Sequence, residues 1–109
     1  MSADPEDKIT EEKFLEAVSA LSSEEPALSQ LGAAILAAFY FDIAKDSRTF
    51  SRKLDIAHAI ALREITALSD DTGLLKVVGR NSRTQRTEFA LTENALQLLS
   101  RARIARDKL

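Results

Sequence analysis

The sequence predicts a mostly α-helical domain that carries one small β-hairpin near its C-terminal end. Apolar residues recur at helical spacing through most of the chain up to Asp71. Residues 73–93, GLLKVVGRNSRTQRTEFALTE, break that period. There Leu74, Leu75, Val77 and Val78 form a first strand of β-formers, and Glu88 and Ala90 alternate with Phe89 and Leu91 in a second. The loop between them holds Arg80, Asn81, Ser82, Arg83, Thr84, Gln85 and Arg86, with three cations and no acid. Thr92 is suited to cap a closing helix, with Leu91 placed to staple onto Leu96.

At 109 residues the chain is one domain, and 45% hydrophobic with 29% charged residues is an ordinary globular composition. The absence of cysteine excludes a disulfide scaffold, a thiolate metal site and a cysteine nucleophile. The longest uncharged apolar run, residues 31–41, is about half of the ~20 residues a membrane span needs. The acidic start lacks the basic, then apolar, pattern of a signal peptide, so the expected location is cytoplasmic and no membrane is expected as a partner. The net charge of −2 hides a division: residues 1–25 carry −6, the rest carries +4, and residues 76–86 alone are +4 with no acid. Such a split, an acidic arm on a basic body, points to a polyanion as partner despite the acidic total.

Residues 1–8 are expected to form a disordered acidic tail, and 9–109 a single domain with terminal helices at 10–23 and 92–106. Thr10 is placed to cap the first helix, with Glu11 and Glu12 at its positive end and Ile9 and Phe14 spaced as a staple. Phe14, Leu15, Val18 and Leu21 make its apolar stripe. The second helix is expected from Pro26, suited to a first turn, to about Lys45. Gly32, Ala33, Ala34, Ala37 and Ala38 keep it thin, and Leu31, Ile35, Leu36, Phe39, Tyr40, Phe41 and Ile43 surround it with apolar bulk, so it should be packed on nearly all sides. Asp46 or Ser47 restarts the chain, and residues 48–71 contain no Gly or Pro. Phe50, Leu54, Ala57, Ala61, Ile65 and Leu68 share one face, which suits either one helix or two meeting near Asp55 and Ile56. Gly73 is the stop. The last helix should run from Glu93 to about Arg106 with Ala95, Leu96, Leu98, Leu99, Ala102 and Ile104 on its apolar side, and with Arg101, Arg103, Arg106 and Lys108 at its negative end.

Phe50-Ser51-x-x-Leu54-Asp55-Ile56 followed by Ala61-Leu62-Arg63-Glu64-Ile65-x-x-Leu68 falls on helix-turn-helix spacing. Gly73-Leu74-Leu75 leading to Leu91-Thr92-Glu93 and Leu98-Leu99 resembles a strand, wing and closing helix. Together these resemble the winged helix-turn-helix fold over residues 26–99, most nearly that of MarR-type transcriptional regulators with their extra N- and C-terminal helices. Asp55 stands where that family has glycine in the turn, and Asn81, Arg83 and Arg86 occupy the loop at other spacings than the family's Asp-x-Arg. The resemblance implies a break near Asp55, a recognition helix that enters the major groove of double-stranded DNA, and a homodimer joined through the terminal helices.

On that template the exposed side of the recognition helix offers Ala57, His58, Ala59, Leu62, Arg63 and Thr66. Arg63 suits a guanine edge, and His58 or Thr66 a base or phosphate. Arg80, Arg83 and Arg86 are the expected phosphate contacts, with Arg48, Arg52 and Lys53 flanking the opposite side. His58, the single histidine, sits beside Ala61, Leu62 and Ile65, which suits a satisfied, half-buried side chain. No enzyme is expected: His58 has no triad motif around it, the glycines Gly32, Gly73 and Gly79 are isolated rather than a phosphate loop, and no metal-ligand spacing or cofactor motif occurs. The alternative function is a winged-helix module that binds a protein partner and not DNA.

Overall fold

The computed structural model describes residues 10–104. Among them are five helices and one antiparallel hairpin: α1 (Glu11–Glu24), α2 (Gln30–Tyr40), α3 (Ser47–Leu54), α4 (His58–Ala67), β1 (Leu75–Arg80), β2 (Thr87–Leu91) and α5 (Glu93–Arg101). A π-helical turn, Leu68–Thr72, extends α4. The expected tail and the Ile9 staple lie outside the described residues.

Side-chain caps start four of the five helices. Thr10 accepts from the Lys13 N–H, Ser29 from Gly32, Asp46 from Thr49 and Thr92 from Ala95. The second helix therefore begins at Gln30 and not at Pro26, because the hydroxyl of Ser29 satisfies its first turn. Pro26 lies in the preceding turn, which the Leu28 N–H closes onto the Glu25 carbonyl at 2.9 Å.

Three helix ends are set by left-handed residues that are not glycine. Asp42 has φ 62°, and around it Ile43 N–H bonds to Ala38 O at 2.8 Å and Asp42 N–H to Phe39 O at 3.1 Å. This pair of bonds is a Schellman motif, and it ends α2 at Tyr40, short of the expected Lys45. The same motif closes α5 around Arg103, φ 62°, with Ile104 N–H on Leu99 O and Arg103 N–H on Ser100 O. That helix stops at Arg101 and not near Arg106; Arg106 and Lys108 lie outside the described residues. Asp55, φ 57° and ψ 50°, ends α3, so the segment 48–69 is two helices with the break at the expected residue. Ala57, set out of phase by this turn, is exposed and not on the buried face with Phe50 and Ala61. Gly73, φ 70°, terminates the π turn as expected.

The core is built around α2, whose Gly32 through Ala38 are all buried. Leu21, Ile35, Leu36, Phe50, Ile65, Leu68, Leu75, Phe89, Leu98 and Leu99 are its largest fully enclosed apolar side chains. Two members of the expected apolar stripes are not in it. Leu15 is 56% exposed, since at about 100° per residue it lies about 110° round the helix from the middle of the face made by Phe14, Ala17, Val18 and Leu21. Leu96 is 46% exposed, outside the buried face made by Ala95, Leu98 and Leu99.

In the hairpin, Leu75 pairs with Leu91, Val77 with Phe89, Gly79 with Glu88 and Arg80 with Thr87. The register shifts between Val77 and Gly79, so Val78 sits in a bulge and is 56% exposed. Only the Leu74 and Leu75 end of the expected first strand is buried. The free edge of β2 meets the segment before α3: Asp46 bridges Glu88, and Phe89 N–H donates to Lys45 O at 3.2 Å. That contact seats the hairpin against the N-terminus of α3.

Candidate functional site

The hairpin loop is ordered by its own hydrogen bonds. The Asn81 carboxamide oxygen accepts from Arg83 N–H at 2.9 Å and Thr84 N–H at 3.1 Å, and Asn81 N–H donates to Arg86 O at 2.9 Å. Gln85 takes the left-handed conformation, φ 65°, that this tight return needs. Arg80 through Arg86 are all exposed, as the sequence implied.

Two side chains fasten the loop to α3. Arg48 donates from Nη2 and Nε to the Thr84 carbonyl, at 2.6 and 3.2 Å. Arg86 Nη2 reaches Asp46 Oδ2 at 3.3 Å. Arg48 therefore stands beside the loop and not across from it. Arg48, Thr49, Arg52, Asn81, Thr84 and Arg86 line one open cleft of about 690 Å³ together with Asp46. A smaller one, about 260 Å³, adjoins it through Asn81 and Arg86 and adds Arg80 and Glu88. Arg83 lines neither. Lys53 is not part of this group: its Nζ donates to Ile43 O at 3.1 Å, and it lines a separate shallow cleft with Phe14, Ile43 and Leu54.

Beneath the loop lies a buried polar junction. The Ser47 hydroxyl, fully enclosed, accepts from Thr87 N–H at 2.9 Å and is 2.8 Å from His58 Nε2. One hydroxyl thus joins the start of α3, the start of α4 and β2. In the neutral Nδ1–H tautomer of His58, Ser47 donates to Nε2 while it accepts from Thr87 N–H. His58 is half-buried and partnered, as expected. Burial holds its imidazole below the ordinary value of 6.5; the Arg48 cation acts in the same sense and the Asp46 carboxylate opposes them. At Asp46, burial alone would raise the carboxyl, but the backbone and hydroxyl bonds from Thr49 and the Arg86 guanidinium outweigh it and hold it below 3.8.

On α4, Arg63 and Thr66 are exposed, and Arg63 makes no hydrogen bond or ion pair among the described residues. Ala57, Ala59 and Ile60 are exposed as well, Ile60 by 45%. Ile60 was not among the surface residues expected from helical phase. The long-range partners of Ser47, Thr87 and Asp46 were not expected either, since they lie 11 to 40 residues away and leave no periodic trace.

No group of three or more His, Cys, Asp or Glu among the described residues could hold a metal ion, and no described helix is long and apolar enough to cross a membrane. Compared with protein families, curated proteins and solved structures, the chain matches none.

Proposed function

We propose that this chain is a winged helix-turn-helix, DNA-binding transcriptional regulator that acts as a homodimer. The observation that carries the reading is the placement of Arg48, Arg52, Arg80 and Arg86 around two adjoining clefts beside a helix–left-handed turn–helix unit. Phosphate contacts of this kind set register on a duplex, while an exposed second helix reads base edges. In this reading α3 and α4 are the helix-turn-helix and α4 is the recognition helix. The hairpin loop is the wing, and the Asp46–Glu88 bridge is the short third strand against it. Arg63 and Thr66 face the groove, with Ala59 and Ile60 able to meet thymine methyl groups. His58 acts from behind, as a positioning residue held by Ser47, while Arg86 gives one bond to Asp46 and keeps its other donors for phosphate.

Pairing of two copies would run through the terminal helices, where Leu15 of α1 and Leu96 of α5 are exposed. Selection of bound duplexes from a randomised pool tests the reading. A regulator of this form enriches a two-fold site whose halves lie about one helical turn, ~10 base pairs, apart. A pool that stays random at every position would contradict it.

A second reading rests on the apolar tip of α4. Ala57, Ala59 and Ile60 are exposed together, as on a module that binds a protein partner instead of DNA. In that case Ile60→Glu abolishes partner binding and the arginine substitutions leave it intact.

A further inference from the structure

The larger cleft has an uneven set of donors. Asp46 is its one acidic group, and that carboxylate is already occupied: Oδ1 accepts from Thr49 N–H, and Oδ2 from the Thr49 hydroxyl and Arg86. The three guanidinium groups keep donors to spare. Each has five N–H donors. Arg48 commits two bonds to Thr84, Arg86 commits one to Asp46, and Arg52 makes none among the described residues. Arg48 and Arg52 lie one turn apart on α3 and so share a face. Arg86 approaches from the loop, which the Arg48–Thr84 bonds hold in place.

Forked, planar donors in excess over acceptors suit a phosphate oxyanion, which can take two parallel bonds from one guanidinium. Thr49, Asn81 and Thr84 add neutral polar groups. The cleft is open, and at about 690 Å³ it has room for a phosphate together with the groups attached to it.

We propose that the cleft between α3 and the hairpin loop is a phosphate-binding site in which Arg52 grips the anion and Arg48 and Arg86 flank it. The ligand is a nucleic-acid backbone or a free diphosphate, which share this chemistry. With the first source the site deepens the DNA reading and rests on it; with the second it stands without it.

The test uses the full chain, ¹⁵N-labelled, with Arg52→Ala in the cleft and Arg83→Ala at the loop tip outside it. Pyrophosphate is titrated first and followed by amide shifts; duplex DNA is titrated second across a salt series. The site predicts saturable shifts at Thr49, Arg52, Asn81 and Thr84 with pyrophosphate, lost in Arg52→Ala and kept in Arg83→Ala. With DNA as the ligand, Arg52→Ala lowers the slope of log K against log salt by about 0.9 per subunit. Arg52 is exposed and unbonded, so the remaining spectrum of Arg52→Ala should overlay that of the parent. Dependence on Arg52 with either ligand sustains the site, and the ligand that shows it identifies the source. Pyrophosphate dependence without DNA binding keeps the site and removes the regulator reading. DNA binding that ignores Arg52, with no Arg52-dependent pyrophosphate shifts, overturns the site and leaves the regulator reading standing.

Discussion

Arg48 donates two hydrogen bonds to the carbonyl of Thr84, 36 residues away, at 2.6 and 3.2 Å. This fork fixes the exposed loop relative to α3, so the cations on either side of it keep a constant spacing. Lysine cannot reproduce two bonds from one planar group. Arg48→Lys should therefore keep the charge but loosen residues 82–85, read as faster amide exchange and lower order parameters there. Because the pair is exposed, the change in unfolding free energy should stay at about 1 kcal/mol or less.

Ser47→Ala has a different expected outcome. It leaves the buried Thr87 N–H without its acceptor and removes the partner of His58 Nε2. An unpaired buried donor costs about 1–3 kcal/mol, and urea unfolding should show a loss of that size. A loss below about 0.5 kcal/mol would mean the junction does not hold the hairpin on the helices.

The pH dependence of stability follows from His58 and Asp46. The folded chain holds His58 below its ordinary 6.5, so the unfolded chain binds this proton more readily. Stability from His58 is complete above 6.5 and is lost as pH falls through the lower folded value. Asp46 acts in the same direction in a more acidic window, with stability present above 3.8 and lost below it. Urea midpoints should decline from about pH 7 downward, and His58→Asn should flatten the upper part of that decline while leaving the acidic part.

Three helices end on left-handed residues with a Cβ: Asp42, Asp55 and Arg103. This conformation is disfavoured for L-residues and open to glycine. Asp55→Gly should raise the unfolding free energy by about 0.5–1 kcal/mol after the greater freedom of the unfolded chain is allowed for. Asp42→Gly should gain less, because it also removes the ion pair of Asp42 with Lys45 at 3.2 Å. Destabilisation by Asp55→Gly would show that its aspartate side chain itself supports the turn.

Leu15 and Leu96 bear on assembly. In a dimer joined through α1 and α5, Leu15→Glu and Leu96→Glu should each shift sedimentation from dimer to monomer. The fold of each subunit should change by no more than about 0.5 kcal/mol, as both side chains are exposed. A parent chain that is already monomeric at high micromolar concentration would contradict the dimer.

The parts of the fold legible in the sequence are those with local chemical signs. Thr10, Asp46 and Thr92 announce helix starts through their own hydroxyl or carboxylate, and Gly73 marks a stop that its lack of a Cβ makes easy. Asp42 and Arg103 stop helices without such a sign, inside apolar or basic runs that continue the helical period past them, so α2 and α5 read as longer than they are. Ser29 displaced Pro26 as the start of α2 because an actual N–H acceptor outweighs a favourable φ. The break at Asp55 came from the spacing of a resembled fold and not from propensity. At the candidate site the loop arginines were visible as a charge run. Their partners were not: Arg86 with Asp46, Arg48 with Thr84 and Ser47 with both His58 and Thr87 all depend on how α3 meets the hairpin.

In the proposed function the basic surface formed by α3 and the hairpin loop binds duplex DNA through its phosphates. Fluorescence anisotropy of a labelled duplex, titrated with the protein from about 50 to 200 mM salt, tests it most directly. Binding at the low end should weaken linearly in log salt, with a slope near 0.9 for each phosphate engaged and a shallower slope for Arg52→Ala. No binding at ~50 mM salt, where attraction to phosphate is strongest, would contradict it.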